Sequence, residues 1–225
     1  MPALVRHYLD RALPSGESKA RRVRIAQAGT MRLKPGGREL RFTAVEEFAV
    51  DDVAFSWRAR FSILPLVFLR VVDGYAAGEG HLEARLVGLL PVMRARGKEL
   101  SEGEAYRYLA ELPWVPYAML ANRRLEWRDL DARAVEVATR VGSARPAVRL
   151  ELDEAGDIVG TWCDARPYRE GKTSASRPWA GTFGDYAVVG GVRIPSAEVR
   201  WELPDGAFTY WRGTVTSLEI DPVLQ

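Results

Sequence analysis

A chain of 225 residues can bury one substantial core or form two small domains. Its 47% hydrophobic and 28% charged residues are ordinary for a folded protein and exclude collagen-like, low-complexity and disordered classes. The net charge is only +2, and the densest basic run, residues 19–24, has no neighbouring aromatic residues for base stacking, so we expect no nucleic-acid partner.

The chain begins with a short amphipathic segment. Apolar residues at helical spacing over 3–13 predict an N-terminal helix that ends before Pro14. This segment has no apolar stretch of the signal-peptide type. The longest apolar run, 63–69, contains a proline and is too short to span a bilayer. We therefore expect a cytoplasmic protein without an integral membrane segment.

Beyond the helix the apolar period changes to two, which is typical of strands. Alternating residues cover 23–33, 40–44 and 53–61. Residues 67–88 then have the pattern of two strands around a glycine-rich turn. Four or five antiparallel strands are therefore predicted before residue 100.

Residues 101–122 interrupt this alternation with a helical pattern. A Ser-x-x-Glu capping box at Ser101 predicts a helix start. Pro113 ends this first helix, and Pro116 suits the first turn of a second one. Trp114 lies at the elbow between them. Two short helices at an angle favour packing on the concave side of a curved sheet.

Strands resume after the insertion. Residues 135–141 alternate, the segment "DEAGD" at 153–157 predicts a hairpin turn, and three more strands follow, whereas 167–181 has the composition of a long irregular loop. The sequence thus predicts a single domain, 1–225, with roughly nine to eleven antiparallel strands. The predicted fold is mainly β (α+β): one curved antiparallel sheet or half-barrel, a short N-terminal helix, and the kinked helical insertion on its concave side.

This pattern resembles the LolA-like half-barrel, an incompletely closed antiparallel sheet with a helical insertion over its concave side. The segments "RHYLDRALP", "RYLAELPWVPYAML", "DEAGD" and "PWAGTFGDYAVVGGVRIPSAEVRW" are also similar to an uncharacterised bacterial family, a domain of unknown function. LolA-like proteins hold acyl chains in their apolar concavity, so the resemblance implies lipid binding. LolA-like carriers are exported, and this chain departs from them in showing no export signal.

No motif for catalysis or cofactor binding is complete. The "GKTS" segment at 171–174 lacks the glycine that a phosphate-binding loop carries five positions earlier. His7 and His81 have no second ligand at metal spacing. Cys163 is the single cysteine, which excludes an intrachain disulfide, and its place in a strand favours a small core residue over a nucleophile. We expect no cofactor, no metal and no catalytic residue.

The aromatic residues are the candidates for ligand binding. Aromatic side chains favour strands and fill cores, and several together can also line an apolar pocket between a sheet and its helices. With two charged neighbours, the candidate ligand-binding residues are Trp57, Tyr108, Trp114, Tyr117, Trp127, Trp162, Asp164, Arg166, Tyr186, Trp201 and Tyr210.

The "DEAGD" hairpin decides which residues of the following strand face inward. We expect Leu152 to pair with Ile158. Alternation from this pair places Trp162, Asp164 and Arg166 on the concave side, and a register shift of one residue reverses that placement. An inward arginine would anchor a carboxylate or phosphate group, whereas an arginine at the rim would keep its charge in water.

Three functions remain open at this point. The leading hypothesis is a non-catalytic binding protein for an apolar or amphipathic small molecule such as a fatty acid or lipid. The first alternative is an enzyme with an unrecognised polar site around Arg166, Asp164, Tyr186 and Tyr210. The second is a protein-interaction module that uses an exposed sheet edge or the kinked helix. The sequence favours no oligomeric state.

Overall fold

The computed structural model describes residues 1–14, 20–64, 67–170 and 173–222. Lys19 of the basic run, Pro65 of the apolar run, and Gly171 and Lys172 of the "GKTS" segment lie outside these ranges. The helices are α1 (Ala3–Ala12), α2 (Lys98–Glu111) and α3 (Pro116–Ala121), with a 3₁₀ turn at Leu112–Trp114. The strands are β1 (Ala20–Arg32), β2 (Glu39–Ala49), β3 (Phe55–Leu64), β4 (Val67–Ala76), β5 (Glu79–Leu86), β6 (Leu90–Arg96), β7 (Glu126–Asp131), β8 (Ala134–Ala138), β9 (Ala147–Leu152), β10 (Ile158–Glu170), β11 (Thr173–Val189), β12 (Val192–Leu203) and β13 (Gly206–Pro222).

The described strands form one antiparallel sheet of thirteen strands in the order β6-β5-β4-β3-β2-β1-β13-β12-β11-β10-β9-β8-β7. The first and last strands therefore pair at its centre, and the edge strands β6 and β7 are the two that flank the helical insertion in sequence. The predicted mainly β fold with one curved, unclosed sheet is confirmed. Among the described residues, no helix combines the length and apolar character needed to cross a membrane.

Two features of the strand prediction are wrong. The sheet has more strands than predicted, because the edge strands β6 and β7 show no clear apolar alternation: β6 is almost wholly exposed and β7 is mostly polar. Residues 167–170 and 173–181 are strand rather than loop, and Tyr168 pairs with Ala175. Pairing in a long hairpin satisfies the backbone groups whatever the polarity of the side chains.

The start of α2 also differs from the prediction. The helix begins at Lys98, so Ser101 lies within its first turn and does not cap it. The Ser101 hydroxyl donates to the Gly97 carbonyl at 3.0 Å and accepts from the Gly80 N–H on β5 at 2.8 Å. This serine therefore fastens α2 to the sheet.

The helical insertion bridges the two arms of the curved sheet. On one arm Ser101 bonds to β5, and on the other the Arg166 Nε on β10 donates to the Gly103 carbonyl of α2 at 3.1 Å. The Trp114 Nε1 donates to the Pro195 carbonyl on β12 at 2.8 Å. The predicted kinked insertion on the concave side is confirmed, and most of its apolar residues belong to the core that lines the sheet.

Replacing Trp114 tests how strongly the insertion is held. Its side chain is 2% exposed, and its ring lies 5.5 Å from that of Trp211. Trp114→Ala is expected to lower the free energy of unfolding by about 3–5 kcal/mol, the usual cost of deleting a large buried aromatic side chain. Urea denaturation followed by circular dichroism measures this loss.

The matched control is Trp162→Ala, because Trp162 is only half-buried. We expect this change to cost less than about 1 kcal/mol. Equal losses for the two variants would show that Trp114 does not hold the insertion.

Candidate functional site

Arg107 of α2 lies at the centre of a buried acidic cluster, defined here as Glu46, Asp73, Glu104 and Glu111. Its guanidinium donates from Nη2 to Glu46 Oε1 at 2.8 Å, from Nη1 to Asp73 Oδ2 at 2.8 Å and from Nε to Glu111 Oε1 at 2.7 Å. Glu104 Oε2 lies 4.0 Å from Nη1. The Arg107 side chain is 15% exposed and its partners less, so the cluster is enclosed by the fold.

Local sequence spacing brings these side chains together. Glu104, Arg107 and Glu111 are three and four residues apart on α2 and therefore share one helical face. Glu46 occupies an inward position of β2, where the alternate residues are buried. The network reaches the centre of the sheet, because the Gln27 amide donates to Glu46 Oε2 at 3.1 Å and accepts from the Trp57 indole at 2.8 Å.

Burial raises the pKa of all four carboxyl groups. The pKa of Glu46 is well above its usual value because of burial and then the nearby Glu111 carboxylate, and burial likewise raises the pKa of Asp73 and Glu111. Burial and the Asp73 carboxylate raise the pKa of Glu104 to about 8. Since one arginine cannot neutralise four carboxylates, part of the cluster holds protons at neutral pH.

A second group of side chains forms an aromatic face on β10 to β13, defined as Tyr168, Trp179, Trp201, Phe208 and Tyr210. The Trp201 ring lies 4.8 Å from Tyr168 and 6.3 Å from both Trp179 and Tyr210. The Phe208 and Tyr210 rings are also 6.3 Å apart. Tyr168, Phe208 and Tyr210 are only half-buried, so this part of the concave side stays partly open to solvent.

Arg166 connects the aromatic face to α2. Its guanidinium carbon lies 4.4 Å from the centre of the Trp179 ring and 5.3 Å from that of Trp201, as in cation–π pairs. The residue is 8% exposed. Its charge also lowers the pKa of Glu104 and Glu111, against the larger effect of burial. Arg166 therefore lies between the two groups.

The inward placement of Arg166 is confirmed, but that of Trp162 and Asp164 is wrong. Leu152 pairs with Ile158 as expected, and the register then shifts between Ile158 and Gly160. The shift turns Trp162 and Asp164 to the outer face, where the indole donates to Asp164 Oδ1 at 2.8 Å. A second irregularity between Cys163 and Arg166 returns the arginine to the inside, because each irregularity reverses the strand alternation.

The other candidates occupy several different places. Trp57, Tyr108, Trp114 and Tyr117 are buried in the core with the helices. Trp127 packs against the core from the edge strand β7.

Tyr186 donates to the Ile158 carbonyl at 2.7 Å, and the guanidinium carbon of Arg193 lies 4.3 Å from its ring centre. Asp164 and Tyr186 thus do not join Arg166 and Tyr210, as the enzyme alternative requires. Only Arg166, Trp201 and Tyr210 come together.

The acidic cluster is not among the predicted sites, although two features of the sequence indicate it. Glu46 stands at an inward position among apolar residues, and Glu104, Arg107 and Glu111 have the spacing of helical ion pairs. Asp73 gave no comparable signal. Only the packing of β4 against α2 brings it to Arg107.

The structure also shows the surroundings of the possible metal ligands and of the single cysteine. Within the described ranges, no three His, Cys, Asp or Glu side chains are placed to hold a metal ion. Cys163 is free and buried, and burial raises its pKa to about 11. A cysteine nucleophile needs a lowered pKa, so Cys163 is a core residue.

The chain belongs to the family of unknown function DUF6544, whose model matches residues 1–213. No curated protein matches the sequence.

Several solved structures are similar. One is a domain assigned to outer membrane lipoprotein sorting from Vibrio parahaemolyticus, with 10% identity and a TM-score of 0.48 over 99% of this chain and 92% of that chain. Another is a DUF1329 family protein from Desulfovibrio piger, with 12% identity and a TM-score of 0.42 over 92% and 88%. A third is a beta-barrel-like protein of the domain of unknown function DUF1849 from Brucella abortus, with 10% identity and a TM-score of 0.37 over 91% and 100%. Similarities at this level identify neither ligand nor activity.

The raised pKa of Glu104 predicts a pH dependence of stability. Between its ordinary value of 4.5 and about 8, the folded protein keeps a proton that the unfolded chain releases, so this group makes stability fall as pH rises through that window. Glu104→Gln should make the decline shallower, by at most about 1.4 kcal/mol per pH unit. Urea denaturation across the window measures the slope. Glu99→Gln, at an exposed position of the same helix, should leave it unchanged, and an unchanged slope in Glu104→Gln would contradict the assignment.

Removing the central cation tests the cluster as a whole. Arg107→Met leaves buried carboxyl groups without their partner and should cost about 3–5 kcal/mol near neutral pH. The loss should shrink in acid, where the carboxyl groups take up protons, and adding Glu46→Gln and Asp73→Asn should recover part of it. Arg128→Met removes an exposed arginine paired with Glu136 and should cost at most about 1 kcal/mol. A loss in Arg107→Met that does not change with pH would contradict this account.

Proposed function

We propose that the protein is a non-catalytic binding protein for an amphipathic small molecule of the fatty acid or lipid class. The observation that carries the proposal is the partly open aromatic face with the Arg166 cation beside it. The apolar part of the ligand lies on the rings, and its anionic group lies toward Arg166.

The aromatic face provides the apolar surface. Five rings, each packed against at least one other, cover parts of four adjacent strands, and side chains of this type bury large areas when a ligand covers them.

Arg166 provides the polar end. Its Nε is bonded to Gly103, and the two terminal nitrogens of a guanidinium carry four further N–H groups that suit a carboxylate or phosphate. The neighbouring acidic cluster repels an anion only when it is ionised. Because the raised pKa values keep protons on the cluster, an anionic group is accepted most readily below the pKa of Glu104.

The perturbed carboxyl groups are of a kind also found in active sites. Here they are largely buried, three of the four bond to Arg107, and Asp164 and Tyr186 of the suggested enzyme site lie elsewhere. Binding at the aromatic face is therefore the better-supported function.

Binding is tested with saturated fatty acids and the alcohols of matching chain length, added to protein that has been stripped of lipid. A ligand that covers the half-buried Tyr168 and Tyr210 changes the surroundings of the neighbouring Trp201 ring, so intrinsic tryptophan fluorescence should change and saturate. Affinity should rise about fourfold for each added carbon until the site is full, since a buried CH₂ contributes about 0.8 kcal/mol. Acids should bind more tightly than alcohols. As pH rises through the pKa of Glu104, the affinity for the acids should fall, because the ionised cluster repels an anion, and the affinity for the alcohols should not change.

Three variants separate the parts of the site. Phe208→Ala should weaken both ligands, whereas Phe68→Ala, at a half-buried phenylalanine on the opposite arm, should weaken neither. Arg166→Lys keeps the charge but loses the planar fork, and should reduce the preference for acids. Absence of saturable binding for acids and alcohols alike, or equal effects of the two phenylalanine changes, would refute the proposal.

A further inference from the structure

Two hairpin ends lie side by side at one end of the sheet. Strand β4 lies between β3 and β5, so the last residue of β3, Leu64, and the first of β4, Val67, are at the same end of the sheet as the β5–β6 turn. The Val87 N–H donates to the Phe68 carbonyl at 2.8 Å and links the two hairpins directly. Leu86 pairs with both Leu69 and Leu90, which makes this end a continuous three-strand surface.

This end exposes large apolar side chains. Leu89 is 79% exposed and Leu90 is 63% exposed. We define the apolar tip as Leu64, Val87, Leu89, Leu90, Val92 and Met93, all of which are exposed. Scattered exposed apolar residues are normal, but a group this dense at one end of a fold marks an interaction surface.

The turn at the tip is itself unfavourable. Val87 and Gly88 both have positive φ, 52° and 74°. Asn-Gly or Asp-Gly is the pair that suits such a turn, whereas a β-branched residue with positive φ is strained. The valine thus costs folding stability and leaves an apolar side chain in water, so the folded protein alone offers no reason for it.

An arginine ladder lies immediately behind the tip on the outer face of the sheet. Arg60 pairs with Arg70, and Arg70 pairs with Arg85, across three adjacent strands. Like charges directly opposite one another are destabilising. The Glu83 carboxylate forms ion pairs with Arg85 and Arg94. Arg60 and Arg70 have no carboxylate partner among the described residues, and their guanidinium carbons lie 3.9 and 5.5 Å from the centre of the Phe68 ring.

We propose that the apolar tip and the arginine ladder together form a docking surface for an anionic lipid membrane. Segments 60–64, 67–72 and 81–94 contain four arginines and one glutamate, and this excess complements negatively charged headgroups. Each arginine near an anionic membrane contributes about fivefold to binding. The apolar side chains of the tip enter the boundary between headgroups and acyl chains.

The shape of the surface favours a membrane over a protein partner. Leu90 points to the same side as Leu69, which packs against the core, while Phe68 and Val72 face the other side of the sheet. A folded partner would cover one of these sides. A lipid surface can cover apolar side chains on both sides of the sheet, because it surrounds whatever is inserted into it.

This docking surface does not depend on the proposed ligand site. The tip belongs to β3–β6, whereas the aromatic face belongs to β10–β13. Phe208→Ala should therefore leave membrane binding intact, and changes at the tip should leave fatty-acid binding intact, so failure of one proposal is distinguishable from failure of the other.

Vesicle flotation with the full chain tests the proposal. The protein should float with vesicles of phosphatidylcholine mixed with phosphatidylglycerol, bind far less to phosphatidylcholine alone, and dissociate as salt is added. Arg60→Gln with Arg70→Gln should reduce binding to the mixed vesicles about 25-fold, from about fivefold for each arginine. Leu89→Ser with Leu90→Ser should reduce it at least about tenfold, because several buried carbons are lost.

Matched controls lie elsewhere on the surface. Leu120→Ser with Val188→Ser and Arg128→Gln with Arg133→Gln change exposed residues of the same types and should leave vesicle binding unchanged. Circular dichroism confirms that each variant is folded. No flotation with the mixed vesicles, or equal losses in tip and control variants, would overturn the proposal. So would a lipid-free dimer, seen by light scattering, that Leu89→Ser with Leu90→Ser abolishes, because the tip would then be the contact between two copies.

Discussion

One largely buried cation, Arg107, holds α2 against two strands of the sheet. Arg107 bonds to carboxyl groups supplied by β2, β4 and α2 itself, and an unpaired guanidinium in that place would carry a large desolvation cost. The bonds to Glu46 and Asp73 therefore fix the positions of β2 and β4 relative to α2. Burying an ion pair is weak evidence for net stability, but the geometry that it requires is specific. The packing of α2 against one arm of the sheet is fixed by these partners together with the Ser101 bond to β5.

The position of α2 in turn determines how the curved sheet is used. The insertion connects the two edge strands in sequence and contacts both arms in space, through Gly80 on one side and Arg166 on the other. One part of the concave side is consequently sealed, with the acidic cluster and Trp114 inside it. The part formed by β10 to β13 is left partly open, and there the aromatic face meets solvent. Protons on the carboxyl groups balance the charge in the sealed part, which ties the stability of the fold to pH.

Strand irregularities determine which side chains of β10 and β13 face inward and which face outward. The two in β10 turn Trp162 and Asp164 outward and Arg166 inward. Another, between Val199 and Arg200 opposite β13, lets the adjacent residues Tyr210 and Trp211 both contact inward-facing rings. Irregularities of this kind often re-aim side chains at functional surfaces. At the apolar tip it is a turn that determines exposure: the positive φ of Val87 keeps this apolar side chain in water.

The sequence by itself determined the fold class, since alternation with period two predicts strands and the proline-flanked helical stripe predicts the kinked insertion. It also determined family membership and most of the hairpins, because those depend on local turn chemistry and apolar spacing. The tertiary structure alone decided the rest. Edge strands β6 and β7 carry little alternation because little of them is buried, so only pairing reveals them. The side on which Trp162 lies depends on a register shift that no local pattern encodes. Asp73 meets Arg107 only because β4 packs beside α2, since a contact between residues 34 positions apart is set by packing of the whole chain.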